Sequence, residues 1–284
     1  MLNVEKLKHQ IKIRAKENDV SPQELMQMYF FERLLCRISL SGYKNNFILK
    51  GGLLLSAIIG NERRTTADMD TMVKGIDVES DELLKIIDEI INTNCSDGIK
   101  FKIDKTKDIR IQDTYGGVNI KITALCGGLK VPLSIDVTTK DPITPREIEY
   151  KYKCMFDNKY ISIMAFNKET IIAEKFETLI RDTETNTRAK DFYDLYIIVN
   201  MYWKEIDKNV MVKAIKNTCK RRETLYILDE LNERYEMIEN SKILNREWGK
   251  YKNTHLFASN IEYSDIMIKI SLIIDEIKKQ YANI

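Results

Sequence analysis

NFILKGGLLLSAIIGNERRTTADMDTMVKG, residues 46–75, is the stretch that decides how this chain is read. An apolar run stops at Lys50-Gly51-Gly52 and a second one follows. A basic turn, Arg63-Arg64-Thr65-Thr66, then leads into Asp68-Met69-Asp70. The pattern predicts a short strand at 47–50, a short helix at 52–59 and a strand at 68–73. Strand side chains alternate between faces, so Asp68 and Asp70 point the same way, with Cα atoms about 6.6 Å apart. Two carboxylates that close repel and resist burial unless positive charge sits between them. Oxygen-only ligands select a hard cation such as Mg²⁺ over zinc. Taken alone, D-x-D also fits a solvated strand end, or the metal-holding pair of a nucleotide-sugar glycosyltransferase. An EF-hand is excluded, because Thr71, Met72 and Val73 supply neither the next oxygen ligand nor the glycine of that loop.

The glycines add context. Gly51-Gly52 follows a strand and opens a helix, where glycine lets the backbone approach a phosphate and the helix N-terminus offers N–H groups to it. Neither a Walker A loop nor G-x-G-x-x-G is present here. A third carboxylate comes from Leu133-Ser134-Ile135-Asp136-Val137, in which Asp136 interrupts an apolar run in strand-like alternation. Asp104 and Asp141 are secondary candidates, each at the end of a segment. A strand, a glycine pair, a short helix, a strand with D-x-D and a later strand carboxylate together resemble the DNA-polymerase-β-like nucleotidyltransferase superfamily. Two departures stand out. Leu53 follows the second glycine where many relatives have a hydroxyl residue. The gap from Gly52 to Asp68 is long and carries Arg63 and Arg64, a phosphate clamp or simply a basic turn.

A second constellation is TIIAEKFETLIRDTETNTRAKDFYDLYIIV, residues 170–199. Ile171, Ile172, Phe176 and Leu179 form an apolar helical stripe with Glu174 and Lys175 beside it. A second helix opens near Arg188 and sets Lys190, Asp191 and Asp194 within one turn, Asp191 and Asp194 sharing a face. Such charges also suit a solvated helix face. Together with K-G-G and R-x-T-x-D-x-D, the A-E-K-x-x-x-L and R-x-K-D-x-x-D-L patterns resemble the AbiEii-type nucleotidyltransferase toxins of type IV toxin–antitoxin (abortive infection) systems. The resemblance runs from about residue 46 to 200.

The resemblance implies an α+β fold: a polymerase-β-like core with a mixed sheet, followed by a C-terminal helical domain. Residues 1–45 are then N-terminal helices packing on the core, 46–166 the sheet domain and 167–284 the helical domain. It also implies roles. Asp68, Asp70 and Asp136 would hold Mg²⁺, two ions or Mn²⁺ in their place, with the nucleoside triphosphate as substrate. Lys50, Gly51, Gly52, Arg64 and Thr66 would line the nucleotide pocket. Lys175 would neutralise the triphosphate, Asp191 or Asp194 would complete the site, and Arg188 and Lys190 would meet phosphates. The implied acceptor is RNA, namely tRNA acceptor ends, and the implied partner a cognate antitoxin encoded nearby. Two other readings keep the residues and change the outcome: an antibiotic-modifying type of nucleotidyltransferase with a small-molecule acceptor, or a non-catalytic module that binds nucleotide or a partner protein.

Composition bounds these readings. The 284 residues are 44% hydrophobic and 31% charged, with a net charge of +2, so any basic surface is local. The two histidines, His9 and His255, are too few for a His-based zinc site, and the five cysteines form no C-x-x-C pair. The cysteine spacing suggests no disulfide framework, and this, with the lack of a signal-like or membrane-spanning run, points to the cytoplasm. Ser21-Pro22-Gln23-Glu24 is a capping box opening a helix that ends near Ser41-Gly42. Further helices are expected at 3–17, 78–93, 167–181, 188–202, 207–219, 221–238 and 261–281, and strands at 99–104, 108–113, 117–125, 130–137 and 159–164. Lys213, Lys216, Lys220, Arg221 and Arg222 form a basic strip. Tyr193, Tyr196 and Trp203 are placed to stack a base or to pack the helical core.

Overall fold

A computed structural model describes residues 3–60, 62–78, 81–109 and 117–281. The fold is α+β. Among the described residues, seven strands form one mixed sheet: β1 (Phe47–Lys50), β2 (Asp68–Val73), β3 (Lys100–Ile109), β4 (Gly117–Cys126), β5 (Leu129–Thr139), β6 (Ile148–Lys153) and β7 (Tyr160–Ala165), in the spatial order β3-β4-β5-β2-β1-β7-β6. The pairs β2/β5 and β1/β7 are parallel and the other neighbours antiparallel. The expected strand at 108–113 is the end of β3 as far as Ile109, and its remainder lies outside the described residues.

The chain divides into two compact units, Met1–Asp141 with Glu147–Phe166, and Pro142–Arg146 with Asn167–Ile284. The first holds the sheet together with α1 (Val4–Asn18), α2 (Pro22–Leu40), α3 (Gly51–Ile59) and α4 (Asp81–Ile91). The Ser21 hydroxyl accepts from the Glu24 N–H with Pro22 in the first turn, which is why α2 starts where it does. Its Leu25, Met28, Phe30 and Phe31 are buried. The Gln27 amide donates to the Pro132 carbonyl, tying α2 to β5. Arg37 donates two hydrogen bonds to the Asp97 carboxylate and a third to the Ile99 carbonyl, fixing α2 against the entry to β3.

The sheet has one closed face and one partly open one. Ile120, Ile122 and Ala124 of β4, Leu133, Ile135 and Val137 of β5, and Met69 and Thr71 of β2 are buried on the closed face. Asn119, Lys121, Asp136, Asp68 and Asp70 alternate with them onto the other face, as the strand period requires.

The second unit carries α5 (Lys168–Asp182), α6 (Ala189–Tyr202), α7 (Lys208–Arg221), α8 (Leu231–Glu239), α9 (Lys242–Thr254) and α10 (Tyr263–Tyr281). The continuous helix expected at 221–238 is broken. Glu223 takes a positive φ of 56°, the Thr224 N–H turns back to the Cys219 carbonyl, and α8 begins only at Leu231. The cause is the buried Glu177 carboxylate, which accepts hydrogen bonds from Arg222 and from the Thr224 hydroxyl and so pins the chain just past α7. Arg222 is therefore not part of the basic strip; Lys213, Lys216 and Lys220 remain exposed on α7. Tyr193 is buried, with its ring centroid 4.9 Å from that of Phe257, and so packs the helical core. Strand β6 and helix α9 were not expected from the sequence.

Candidate active site

The β1–α3–β2 unit turns sharply because Gly51 adopts φ 62°, a conformation that disfavours any Cβ. A Cβ on Gly51 would lie 1.9 Å from Asp70 Oδ2, and one on Gly52 would lie 2.8 Å from Thr66 Oγ1 and 2.9 Å from Arg64 Nη2. The glycine pair thus leaves a cradle into which Asp70, Thr66 and Arg64 fit. The Gly52 N–H, at the N-terminus of α3, donates to Asp70 Oδ2 at 3.2 Å. Arg64 and Thr66 are buried, and the Arg64 guanidinium donates to the Thr65 carbonyl. These contacts hold the long connection against α3.

Strand register gathers the carboxylates. Asp70 is the direct partner of Asp136 on the neighbouring parallel strand, and Asp68 is the partner of Ser134. Across β1/β2 the partner of Asp70 is Lys50, and across β4/β5 the partner of Asp136 is Asn119. Four strands therefore present Lys50, Asp70, Asp136 and Asn119 in one line, with Asp68, Ser134 and Lys121 in the next.

Hydrogen bonds fix the members of these lines. The Asn119 amide donates to Asp136 Oδ1 at 2.5 Å and to Ser134 Oγ at 2.8 Å. Lys121 Nζ donates to Ser134 Oγ at 2.6 Å. Lys50 Nζ pairs with Asp141 Oδ2 at 2.8 Å, and that carboxylate also accepts from the Thr138 hydroxyl at 2.6 Å. Asp104 accepts from the Thr123 hydroxyl at 2.6 Å. Burial lifts the Asp136 carboxyl above the usual carboxylate range. The Asn119 amide opposes the rise, Asp70 and Asp68 add to it, and Lys121 lowers it again.

Among the described residues, no three carboxylate, thiol or imidazole groups stand as a preformed metal cage. Asp70 is turned toward the Gly52 N–H and Asp136 toward Asn119. The donor set nonetheless fits a divalent cation. It consists of oxygen donors only, and the like charges of Asp68 and Asp70 raise Asp136, the mark of a cluster short of positive charge.

In the second unit, Lys175 Nζ lies 2.6 Å from Asp191 Oδ1 and 3.0 Å from Asp194 Oδ2. The Asp194 side chain is fully buried. Lys175 stands on α5 and the two aspartates on α6, so this cluster joins the two helices. Arg188 precedes the first turn of α6 and Lys190 lies within it, both exposed.

The model of the AbiEii family, described as nucleotidyl transferase AbiEii toxin, type IV TA system, matches residues 33–267, most of the chain. This chain belongs to the AbiEii family. Membership makes it a nucleotidyltransferase toxin of the type IV toxin–antitoxin class, with a nucleoside triphosphate as donor, a divalent metal in the chemistry and an antitoxin as counterpart. The AbiEii match begins within α2, ahead of the glycine pair, and ends within α10.

Solved structures similar to this chain include the following two. One is JHP933 from Helicobacter pylori, 17% identical, covering 93% of this chain and 97% of that one with a TM-score of 0.48. The other is an antigenic nucleotidyltransferase-like protein from Paracoccidioides brasiliensis, 15% identical, covering 69% and 91% with a TM-score of 0.40. No curated protein matches the chain. Among the described residues, no helix is long and apolar enough to cross a membrane.

Asn119, Lys121 and Ser134 were not singled out from the sequence. Asn119 and Lys121 alternate with Ile120 and Ile122, which marks them as one face of a strand. Only the register shows that they stand beside Asp136.

Proposed function

We propose that this AbiEii-family chain is a Mg²⁺-dependent nucleotidyltransferase that moves NMP from NTP onto an RNA acceptor, the 3′ end of tRNA, and so blocks translation. The observation that carries the reading is the direct pairing of Asp70 with Asp136 beside the Gly51 cradle. Asp68, Asp70 and Asp136 would hold the cation. When bound it supplies positive charge that stabilises the attacking and leaving oxygens of phosphoryl transfer.

The protein's own groups do the rest. The N–H groups at the start of α3, reachable because Gly51 and Gly52 carry no side chain, suit the triphosphate of the donor. Asp136 would take the proton of the acceptor hydroxyl at a carboxylate oxygen. Asn119 keeps that carboxylate oriented through its bond to Oδ1. The acceptor oxygen bonds to the α-phosphorus as the bond to the β-phosphate oxygen breaks, and pyrophosphate leaves. From the second unit, Lys175, held by Asp191 and Asp194, is a further group required for transfer.

The deciding experiment incubates the protein with total tRNA, Mg²⁺ and each labelled NTP in turn. Label on tRNA that requires both Mg²⁺ and Asp70 supports the proposal. Label appearing on a small-molecule acceptor with no RNA present overturns the choice of acceptor, and nucleotide binding without any transfer overturns catalysis.

A further inference from the structure

The outermost strand beyond β4 is β3, KFKIDKTKDI, in which lysine recurs at positions 100, 102, 105 and 107. The step from 102 to 105 is odd, so in a regular strand Lys102 and Lys105 would face opposite ways. The strand is not regular. Its register with β4 shifts between Ile103 and Lys105, so that Lys102 pairs with Thr123 and Lys105 with Lys121. One extra residue, Asp104, is absorbed there as a bulge. The bulge returns Lys105 to the face that already carries Lys100 and Lys102. Directly paired residues share a face, so this is also the face of Lys121, Ser134 and Asp68.

The lysines therefore stand on the same side of the sheet as the carboxylates. Lys105, Lys121, Ser134 and Asp68 form one line across β3, β4, β5 and β2. At about 4.8 Å per strand, Lys105 lies about 14 Å from Asp68 along that line. Lys100, Lys102 and Lys105 are exposed, and no carboxylate among the described residues pairs with any of them. The opposite face of the same strand carries Phe101, which is buried, and Ile103.

An edge strand often carries lysine simply to discourage strand addition, and a bulge serves the same end. That purpose is met by charge of either sign on either face. Here the bulge keeps all three lysines on one face, and the intervening Asp104 carboxylate is engaged by the Thr123 hydroxyl and forms no ion pair with them.

Resting on the nucleotidyltransferase reading above, we propose that Lys100, Lys102 and Lys105 form a phosphate track on which the RNA acceptor's backbone lies as its 3′ end reaches Asp68, Asp70 and Asp136. The three positions offer cations and no aromatic ring, so the recognition is of backbone and independent of sequence.

The test uses the full chain with all three lysines changed to Glu, or all three to Arg. Glu preserves a charged edge and removes attraction for phosphate; Arg preserves both. RNA binding is followed by fluorescence anisotropy across a salt series, and transfer by labelled nucleotide incorporation. We expect the Glu variant to keep the oligomeric state of the wild type and to bind nucleotide as before. Its affinity for RNA should fall roughly tenfold or more, and the slope of log K against log salt should become shallower by about 2 to 3, near 0.7–0.9 per lost phosphate contact. The KM for RNA rises accordingly while kcat at saturating RNA holds, and the Arg variant behaves as the wild type.

A Glu variant with unchanged slope and unchanged KM overturns the track while leaving the transferase reading intact. Equal loss in the Glu and Arg variants, or aggregation of either, likewise overturns it and marks the lysines as edge protection. A wild-type chain that binds no RNA removes both the track and the choice of acceptor.

Discussion

The Asp70 carboxylate fills the space that a side chain on Gly51 would need, since a Cβ there would meet Asp70 Oδ2 at 1.9 Å. Gly51→Ala should therefore act twice. The left-handed backbone costs about 1–2 kcal/mol with any side chain, and the displaced carboxylate should lower transfer roughly 100-fold or more, as a misplacement of about 1 Å does. Gly42→Ala, with nothing within 4 Å of the added methyl, should change neither. Melting curves and nucleotide incorporation on the two variants check this.

Asp70→Asn keeps an oxygen for the Gly52 N–H and removes a charge. Asp136→Asn does the same beside Asn119. Each should reduce transfer by about 10³-fold or more while the melting temperature stays within a few degrees of the wild type. Chelation of divalent cations should reproduce the loss of transfer in the wild-type protein without unfolding it. An Asp70→Asn protein that still labels its acceptor at the wild-type rate contradicts the assigned site.

Lys175 is both a proposed participant in transfer and the partner of a fully buried carboxylate. Lys175→Met leaves Asp194 buried without that cation, which should cost about 3–5 kcal/mol. Adding Asp194→Asn to that variant should recover much of the stability and none of the transfer. Denaturant unfolding and labelled-nucleotide assays on the single and double variants separate the two roles. Recovery of activity together with stability would reduce Lys175 to a structural part.

The Arg37–Asp97 pair predicts an acid-sensitive contribution to folding. Burial pushes the Asp97 carboxyl up, but hydrogen bonds from Arg37 and the Ile99 N–H outweigh it and hold the group below its ordinary value. A carboxyl depressed in the folded state contributes fully above its unfolded pKa, about 3.9, and loses that contribution as pH falls through the folded value. Arg37→Leu should cost about 3–5 kcal/mol at pH 7. The gap between wild type and variant should narrow below about pH 4. Urea unfolding at a series of pH values reads that gap directly.

The elements around the glycine pair were legible in the sequence because their signals are local. Alternation gave β1 and β2 at their observed bounds, and a capping box opened α2 one residue after Ser21. The elements that escaped notice depend on distant partners. Strand β6, IEYKYK, is the exception: Ile148, Tyr150 and Tyr152 alternate with Glu149, Lys151 and Lys153, a local signal that was overlooked in a run of only six residues. The break after Arg222 follows from Glu177, 45 residues earlier. Asn119 and Lys121 look like ordinary strand positions until register sets one beside Asp136 and the other beside Ser134. The bulge at Asp104 is likewise invisible in composition: an apparent phase error in the lysine spacing is corrected only by the backbone.

Pro142–Arg146 lies in sequence between strands of the first unit yet belongs to the second. Its Thr144 carbonyl accepts from the Asn167 amide, its N–H donates to the Thr170 hydroxyl, and its own hydroxyl accepts from Asn217. A polypeptide cut after Phe166 would carry away the group that all three of those residues bind. The two units are therefore not interchangeable modules. A chimera with a relative must import this five-residue insert along with the helices, and a fragment started at Asn167 needs the insert restored as a peptide or grafted leader before its helices can serve as a faithful stand-in for the intact unit.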